Sequence, residues 1–246
     1  MHGPERVPKP TVEKFYTMLA VSTLKVSETF SSVQGEGSLV GSASFFIRLD
    51  GCPLRCSWCD TPYALEGDSG RLMSIDDLAS LARSFRRIVV TGGEPLAQDI
   101  RPLVDRLTPR HHVTVETSGA IFADLPKVSL FSLSPKVGSS GYKPKIDVLR
   151  KYCASAAGRM HLKFVIADFA DLDEAFDCLA RIENDLPAST PVILQPESRS
   201  AGRGDDYNAA LRRIAERVVN EERWRRFDVR VLPQLHYLMW GGEPGR

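Results

Sequence analysis

The chain has almost no charge imbalance: 32 Lys and Arg stand against 31 Asp and Glu, a formal net charge of +1 at pH 7. A chain so balanced has no whole-molecule field to recruit nucleic acid or an anionic membrane surface. It also lacks a long apolar run. The stretch from Phe15 to Val21 is brief and flanked by charges and prolines, which fits neither a membrane span nor a secretory leader. Cysteine is scarce and odd in number, five in 246 residues, which argues against a disulfide framework and leaves reduced thiols able to hold a metal. There is no repeat of fixed period and no low-complexity linker. With 43% apolar and 26% charged residues, the expectation is a cytoplasmic protein with one domain and a sizeable core. That domain is read over residues 25–246, behind an N-terminal extension, residues 1–24, whose Pro4, Pro8 and Pro10 keep its first part loose.

Apolar runs of strand length alternate with helical patterns along the rest of the chain. The strands read are 43–49, 88–91, 113–116, 130–134, 162–166, 192–195 and 229–232. Ser74, followed three residues later by Asp77, resembles a capping box opening a helix to about Ser84. Residues 171–182 and 207–219 also show helical spacing, the second with Leu211, Ile214, Val218 and Val219 on one face. This alternation predicts an α/β fold around a mainly parallel sheet, whose buried strands explain runs such as RIVV and PVIL. Seven strands are few for a closed eight-stranded barrel, so a partial, open parallel β/α barrel is the expected architecture. Strand C-termini of a parallel sheet share one end, where loops carry chemistry, and the polar oddities fall just after predicted strands.

The densest of these is GCPLRCSWCDTPYA, which sets Cys52, Cys56 and Cys59 in one loop with no fourth thiol or histidine beside them. Structural zinc closes its shell with four ligands. A four-iron cluster on three thiolates instead keeps one iron open to another ligand. Cys153 and Cys178 lie in helical segments and read as small buried apolar residues. After the next strand, Gly92-Gly93-Glu94-Pro95 permits close backbone approach, and Glu94 offers an acceptor for an ammonium group; the same four residues are also ordinary turn chemistry.

The three-cysteine spacing, with TGGEP at Thr91 to Pro95, resembles the radical S-adenosylmethionine enzymes. Further motifs narrow the likeness. Val33-Gln34-Gly35-Glu36-Gly37, Arg48 on the following strand, Cys59-Asp60-Thr61, Glu116-Thr117-Ser118-Gly119, Ser134-Pro135-Lys136, Leu194-Gln195-Pro196 and Pro233-Gln234-Leu235-His236 together resemble the 7-carboxy-7-deazaguanine synthase family over about Ser27 to Trp240. The resemblance implies a radical carbon–nitrogen lyase of queuosine and 7-deazapurine biosynthesis. Its substrate would be the small molecule 6-carboxy-5,6,7,8-tetrahydropterin, contracted to 7-carboxy-7-deazaguanine with loss of ammonia. It implies a [4Fe-4S] cluster on Cys52, Cys56 and Cys59, S-adenosylmethionine against Gly93, Ser134, Pro135 and Lys136, and Mg2+ on Thr61. It also implies substrate contacts at Val33, Gln34, Gly35, Arg48 and Thr91, a reductant such as flavodoxin or ferredoxin, and a homodimer. The chemistry agrees with these residue types: Gln34 has a donor and an acceptor for an amide-like edge, Arg48 a planar fork for a carboxylate, and Thr61 a hard oxygen for magnesium.

Two rivals stay open on the residues alone. A glycyl-radical activase would share the cysteines and GGEP but act on a protein partner, and a non-catalytic zinc module would share only the cysteines. Some family members end in Gln-Thr-His-Lys, whereas this chain reads Gln234-Leu235-His236-Tyr237 and continues to Arg246, so a C-terminal substrate contact is not carried over. His111 and His112 read as structural, and the run ERWRRF over Glu222 to Phe227, interleaved with acids, as a solvated face with no nucleic acid for a partner.

Overall fold

The computed structural model describes residues 22–198, 205–241 and 243; most of the expected N-terminal extension lies outside them. One nine-stranded sheet, in the order β3-β1-β2-β4-β5-β6-β7-β8-β9, organises the described chain. In sequence the strands are β1 (Thr23–Val33), β2 (Ala43–Leu49), β3 (Arg71–Ser74), β4 (Arg87–Gly92), β5 (His112–Thr117), β6 (Leu130–Leu133), β7 (Met160–Ile166), β8 (Pro191–Pro196) and β9 (Asp228–Val231). From β2 to β9 every neighbouring pair is parallel, and these are the seven strands expected from the sequence. The edges β3 and β9 do not pair with each other, so the sheet is open.

The helices are α1 (Ile75–Ala82), α2 (Arg101–Leu107), α3 (Ile146–Ser155), α4 (Phe169–Ile182), α5 (Asp205–Asn220) and α6 (Leu235–Trp240). Ser74 caps α1 as its spacing predicts, its hydroxyl accepting from the Asp77 amide at 3.1 Å. Asp168 does the same for α4 at 3.0 Å from the Asp171 amide. Leu172, Ala175, Leu179 and Ile182 of α4, spaced by three or four, are all buried.

The parallel strands have two unlike faces, which follows from the two-residue period of a strand. Ile47 and Leu49, Ile88 and Val90, Val113 and Val115, Leu162 and Phe164, and Val192 and Leu194 are 0% exposed and share one core with the helices. Each such side chain contributes roughly 1.5–3 kcal/mol of transfer free energy. The intervening positions Phe46 and Arg48, Thr91 and Gly93, Glu116 and Ser118, Ser132 and Ser134, and Lys163 and Val165 line a cavity instead.

The sequence reading missed β1 and β3. Both are antiparallel additions at one edge, and β1 (TLKVSETFSSV) carries polar residues at most positions. Leu24 is 3% exposed, so the sheet reaches into the last residues of the segment read as an extension. Antiparallel pairing also has a consequence for the site. Val26 lies beside Leu49 but Val33 beside Ala43, so the Gln34-Gly35-Glu36-Gly37 turn is delivered at the strand N-termini, opposite the end where the other motifs emerge.

Candidate active site

The cavity holds about 640 Å³, ample for a small heterocyclic ligand beside a nucleoside-sized cofactor. Val33, Gln34, Gly35, Arg48, Cys52, Cys56, Cys59, Thr61, Thr91, Gly93, Ser134 and Lys136 all line it. Pro135, which the resemblance assigns to the cofactor, does not line it and is buried, and Glu94 does not line it either.

At the thiol end, main-chain hydrogen bonds fix the loop. Gly51 and Cys52 donate to Ala64 and Leu65, and Cys59 donates to the Cys56 carbonyl at 3.1 Å. Beside it, Trp58 Nε1 donates to Ser139 Oγ at 2.8 Å, while Lys136 Nζ lies 5.2 Å from the Trp58 ring centre and 3.3 Å from Ser134 Oγ. Gly93 passes so close that a Cβ there would sit 2.5 Å from the Gly51 carbonyl and 2.6 Å from that of Ala64. Only glycine fits. Glu94 does not point at a ligand: Thr117 Oγ1 donates to one carboxylate oxygen at 2.7 Å and the Ser118 amide to the other at 2.9 Å. The acid therefore ties the GGEP turn to the loop after β5 rather than offering itself to an ammonium group.

Burial pushes the Cys52, Cys56 and Cys59 thiols above their ordinary range, with Lys136 pulling back at Cys56 and Cys59, so a metal bound here has to displace protons. All three are half-buried, and no disulfide joins any of the five cysteines. Among the described residues no three of His, Cys, Asp and Glu are gathered tightly enough for one metal ion. Three thiols from one short loop, all lining one cavity, suit a polynuclear cluster in which each thiolate takes a different iron.

The other end of the cavity is built from charge. The Lys163 ammonium donates to Glu36 Oε2, while Gln195 Nε2 and Gln234 Nε2 donate to Glu36 Oε1 at 2.7 and 2.6 Å. Burial raises the Glu36 carboxyl, but Lys163, His236 and the donated hydrogen bonds outweigh it and hold the acid well below its usual range. Gln34 Nε2 donates to Glu116 Oε1 at 2.8 Å and its Oε1 accepts from the Glu36 amide at 3.1 Å, so both ends of this amide already brace the turn. Gly35 faces His236, whose Nδ1 would lie 2.0 Å from an added Cβ. Gly37, with φ +71°, packs on the His161 ring. His161 bridges Ser38 Oγ (3.1 Å) and Ser132 Oγ (2.8 Å), and burial beside Lys163 pushes it down to about 3.

Between the ends, Arg48 Nε donates to Glu28 Oε1 at 2.7 Å and a terminal nitrogen reaches Thr61 Oγ1 at 3.4 Å. Thr61 donates to Asp60 Oδ1 at 2.9 Å, so it presents one hard oxygen next to another.

Glu36, Glu116, Gln195, Gln234 and His236 stand inside the sequence motifs without a role of their own there, and Lys163 stands in none of them. Its one available signal was a lysine inside the otherwise apolar LKFVI. His111 and His112 fall outside the cavity, His111 bonding the Phe85 carbonyl at 2.7 Å.

The Radical SAM superfamily profile matches residues 46–153. The chain is 33% identical over 239 residues to "7-carboxy-7-deazaguanine synthase" of Pyrobaculum aerophilum, covering 93% of this chain and 100% of that protein. It is 38% identical to the protein of the same name from Rhodopirellula baltica, over 73% of this chain and 75% of that one. The fold is similar to the crystal structure of QueE from Escherichia coli, with a TM-score of 0.64 and 24% identity over 90% of this chain and 98% of that one.

Proposed function

Since the chain belongs to the 7-carboxy-7-deazaguanine synthase family of radical S-adenosylmethionine enzymes, we propose that it is the lyase that contracts 6-carboxy-5,6,7,8-tetrahydropterin to 7-carboxy-7-deazaguanine with loss of ammonia. The observation that carries this reading is a single cavity with three thiols at one end and a buried, acceptor-rich cluster at the other. A protein-activating enzyme would not need the second feature, nor a zinc module a cavity.

Cys52, Cys56 and Cys59 would hold a [4Fe-4S] cluster, and Gly93, Ser134 and Lys136, with Pro135 stiffening the turn between the last two, would hold S-adenosylmethionine. When bound and reduced, these two groups supply a hydrogen-abstracting carbon radical. The chain's own task is to orient the substrate. Arg48, anchored through Nε on Glu28, would take the pterin carboxylate. Glu36 and Glu116 would face the N–H donors of the heterocycle, while the Val33–Gly35 backbone and Thr91 close on its faces. Thr61 would contribute one ligand to Mg2+, whose remaining positions fall to substrate oxygens and water. No strong base is required beside the reacting carbon, because the first step takes a hydrogen atom and not a proton. A one-electron donor of the flavodoxin or ferredoxin class and a homodimeric assembly in the cytoplasm complete the proposal.

The test is anaerobic turnover. Protein reconstituted with iron and sulfide, given S-adenosylmethionine, Mg2+, a reductant and the pterin, is expected to yield 7-carboxy-7-deazaguanine by mass. An intact cluster that cleaves S-adenosylmethionine and leaves the pterin untouched would show that the substrate is wrong.

A further inference from the structure

β7 reads MHLKFVI and is buried along its whole length, yet its centre is a lysine only 8% exposed. A buried ammonium is costly unless paired and hydrogen-bonded, and this one is paired with Glu36 from a turn 127 residues away. The arrangement around Glu36 is unusually determined. Donors from β7 (Lys163), β8 (Gln195) and the residue before α6 (Gln234) converge on one carboxylate. Both glutamine Oε1 atoms are buried without a partner in the structure, so these amides are set by what Glu36 accepts and not by acceptor needs of their own. An ionised carboxylate has about four acceptor sites; three are taken, and Glu36 still lines the cavity.

We infer that Lys163 is a positioning residue: by pairing with Glu36 it keeps that carboxylate ionised and aimed as an acceptor for the N–H edge of the substrate, and so sets substrate affinity without contacting the substrate itself. This rests on the pterin reading given above. The other titratable groups facing the pair are Glu116 on β5, Asp60 in the thiol loop, His161 on β7, Tyr207 on α5 and His236 on α6. None of the others supplies the fixed positive charge in contact with Glu36 that Lys163 does. Without it, burial is opposed only by His236 and the two amide hydrogen bonds, and the balance at Glu36 moves toward the protonated acid, which donates where the substrate also donates.

The experiment measures pterin dissociation constants anaerobically on reconstituted protein without reductant, for the wild type, Lys163→Met, Glu36→Gln and the double variant, with S-adenosylmethionine cleavage on added reductant as a control. Lys163→Met is expected to weaken pterin binding roughly tenfold or more near neutral pH and to recover part of it as the pH is raised and Glu36 ionises. The double variant is expected to bind no more weakly than Glu36→Gln alone, because Lys163 acts only through Glu36. Cleavage of S-adenosylmethionine is expected to persist throughout. Unchanged affinity in Lys163→Met overturns the inference, as does a further loss in the double variant equal to that of Lys163→Met by itself, which would mean direct contact. Should Lys163→Met fail to fold, Glu36→Gln against the double variant still decides. A wild type that does not bind the pterin overturns the substrate reading and this inference together, whereas binding by the wild type with no effect at Lys163 overturns the inference alone.

Discussion

The two ends of the cavity are organised by different physics. At the thiol end the three thiols are soft and half-buried, and what fixes them is backbone: the bonds of Gly51, Cys52 and Cys59 and the close passage of Gly93. At the other end the side chains themselves do the fixing, with Glu36 accepting from Lys163, Gln195 and Gln234 in a region nearly closed to solvent. A backbone-framed loop tolerates a large inorganic group that arrives after folding, since its ligands are still protonated thiols. A buried charge network cannot be left half-made, because removing one partner strands the other in low dielectric. The comparison therefore separates a site completed by its cofactor from a site complete in the folded chain.

The sharpest way to break that separation is Cys56→Ala. It is expected to remove the cluster and bring both S-adenosylmethionine cleavage and product to background, with loss of the iron–sulfur absorption, while the thermal midpoint of the unreconstituted protein changes little. Next in size, Arg48→Ala is expected to raise the pterin KM on the order of 100-fold, the scale of a lost charge-assisted contact, and to leave uncoupled cleavage of S-adenosylmethionine measurable. Gly35→Ala acts through packing. Its Cβ would sit 2.0 Å from His236 Nδ1, and a cost of about 1–3 kcal/mol is expected by denaturant unfolding, with weaker pterin binding and an intact cluster.

The smallest effect concerns pH. His161 is held neutral in the fold, its value lowered from 6.5 to about 3. The unfolded chain therefore binds the extra proton first, and stability contributed by this group is full above pH 6.5 and is lost as pH falls toward 3. Unfolding free energy is expected to decline below pH 6.5 by up to about 1.4 kcal/mol per unit from this residue. Denaturant titrations at pH 7, 6 and 5 should show that slope flattened in His161→Gln. Glu36, held low by Lys163, adds its own loss only below its ordinary value of 4.5.

Much of this was legible in the sequence, and the rest was hidden for identifiable reasons. RIVV and PVIL announce strands because their helix-facing residues Ile88, Val90, Val192 and Leu194 are apolar and the residues between them, Val89 and Ile193, are buried and apolar too. β1 escaped because its alternation is diluted: Ser27, Glu28, Ser31 and Ser32 interrupt it, and its pairing partner β3 is only four residues long. The thiol end was readable since its residues are consecutive or nearly so. The charged end was not, because Glu36, Glu116, Lys163, Gln195 and Gln234 meet only through sheet register, and a lysine within LKFVI has no local partner to announce that it is buried. Gln34 and Glu94, read from sequence as ligand contacts, have hydrogen-bonding roles within the protein that only the geometry displays.

The most direct test of the two-ended cavity is to quantify 5′-deoxyadenosine and 7-carboxy-7-deazaguanine in the same anaerobic reactions for wild type, Cys56→Ala and Arg48→Ala. The account predicts both products from the wild type, neither from Cys56→Ala, and 5′-deoxyadenosine with little deazaguanine from Arg48→Ala. Loss of 5′-deoxyadenosine in Arg48→Ala to the level of Cys56→Ala, or deazaguanine formed by Cys56→Ala, would contradict it.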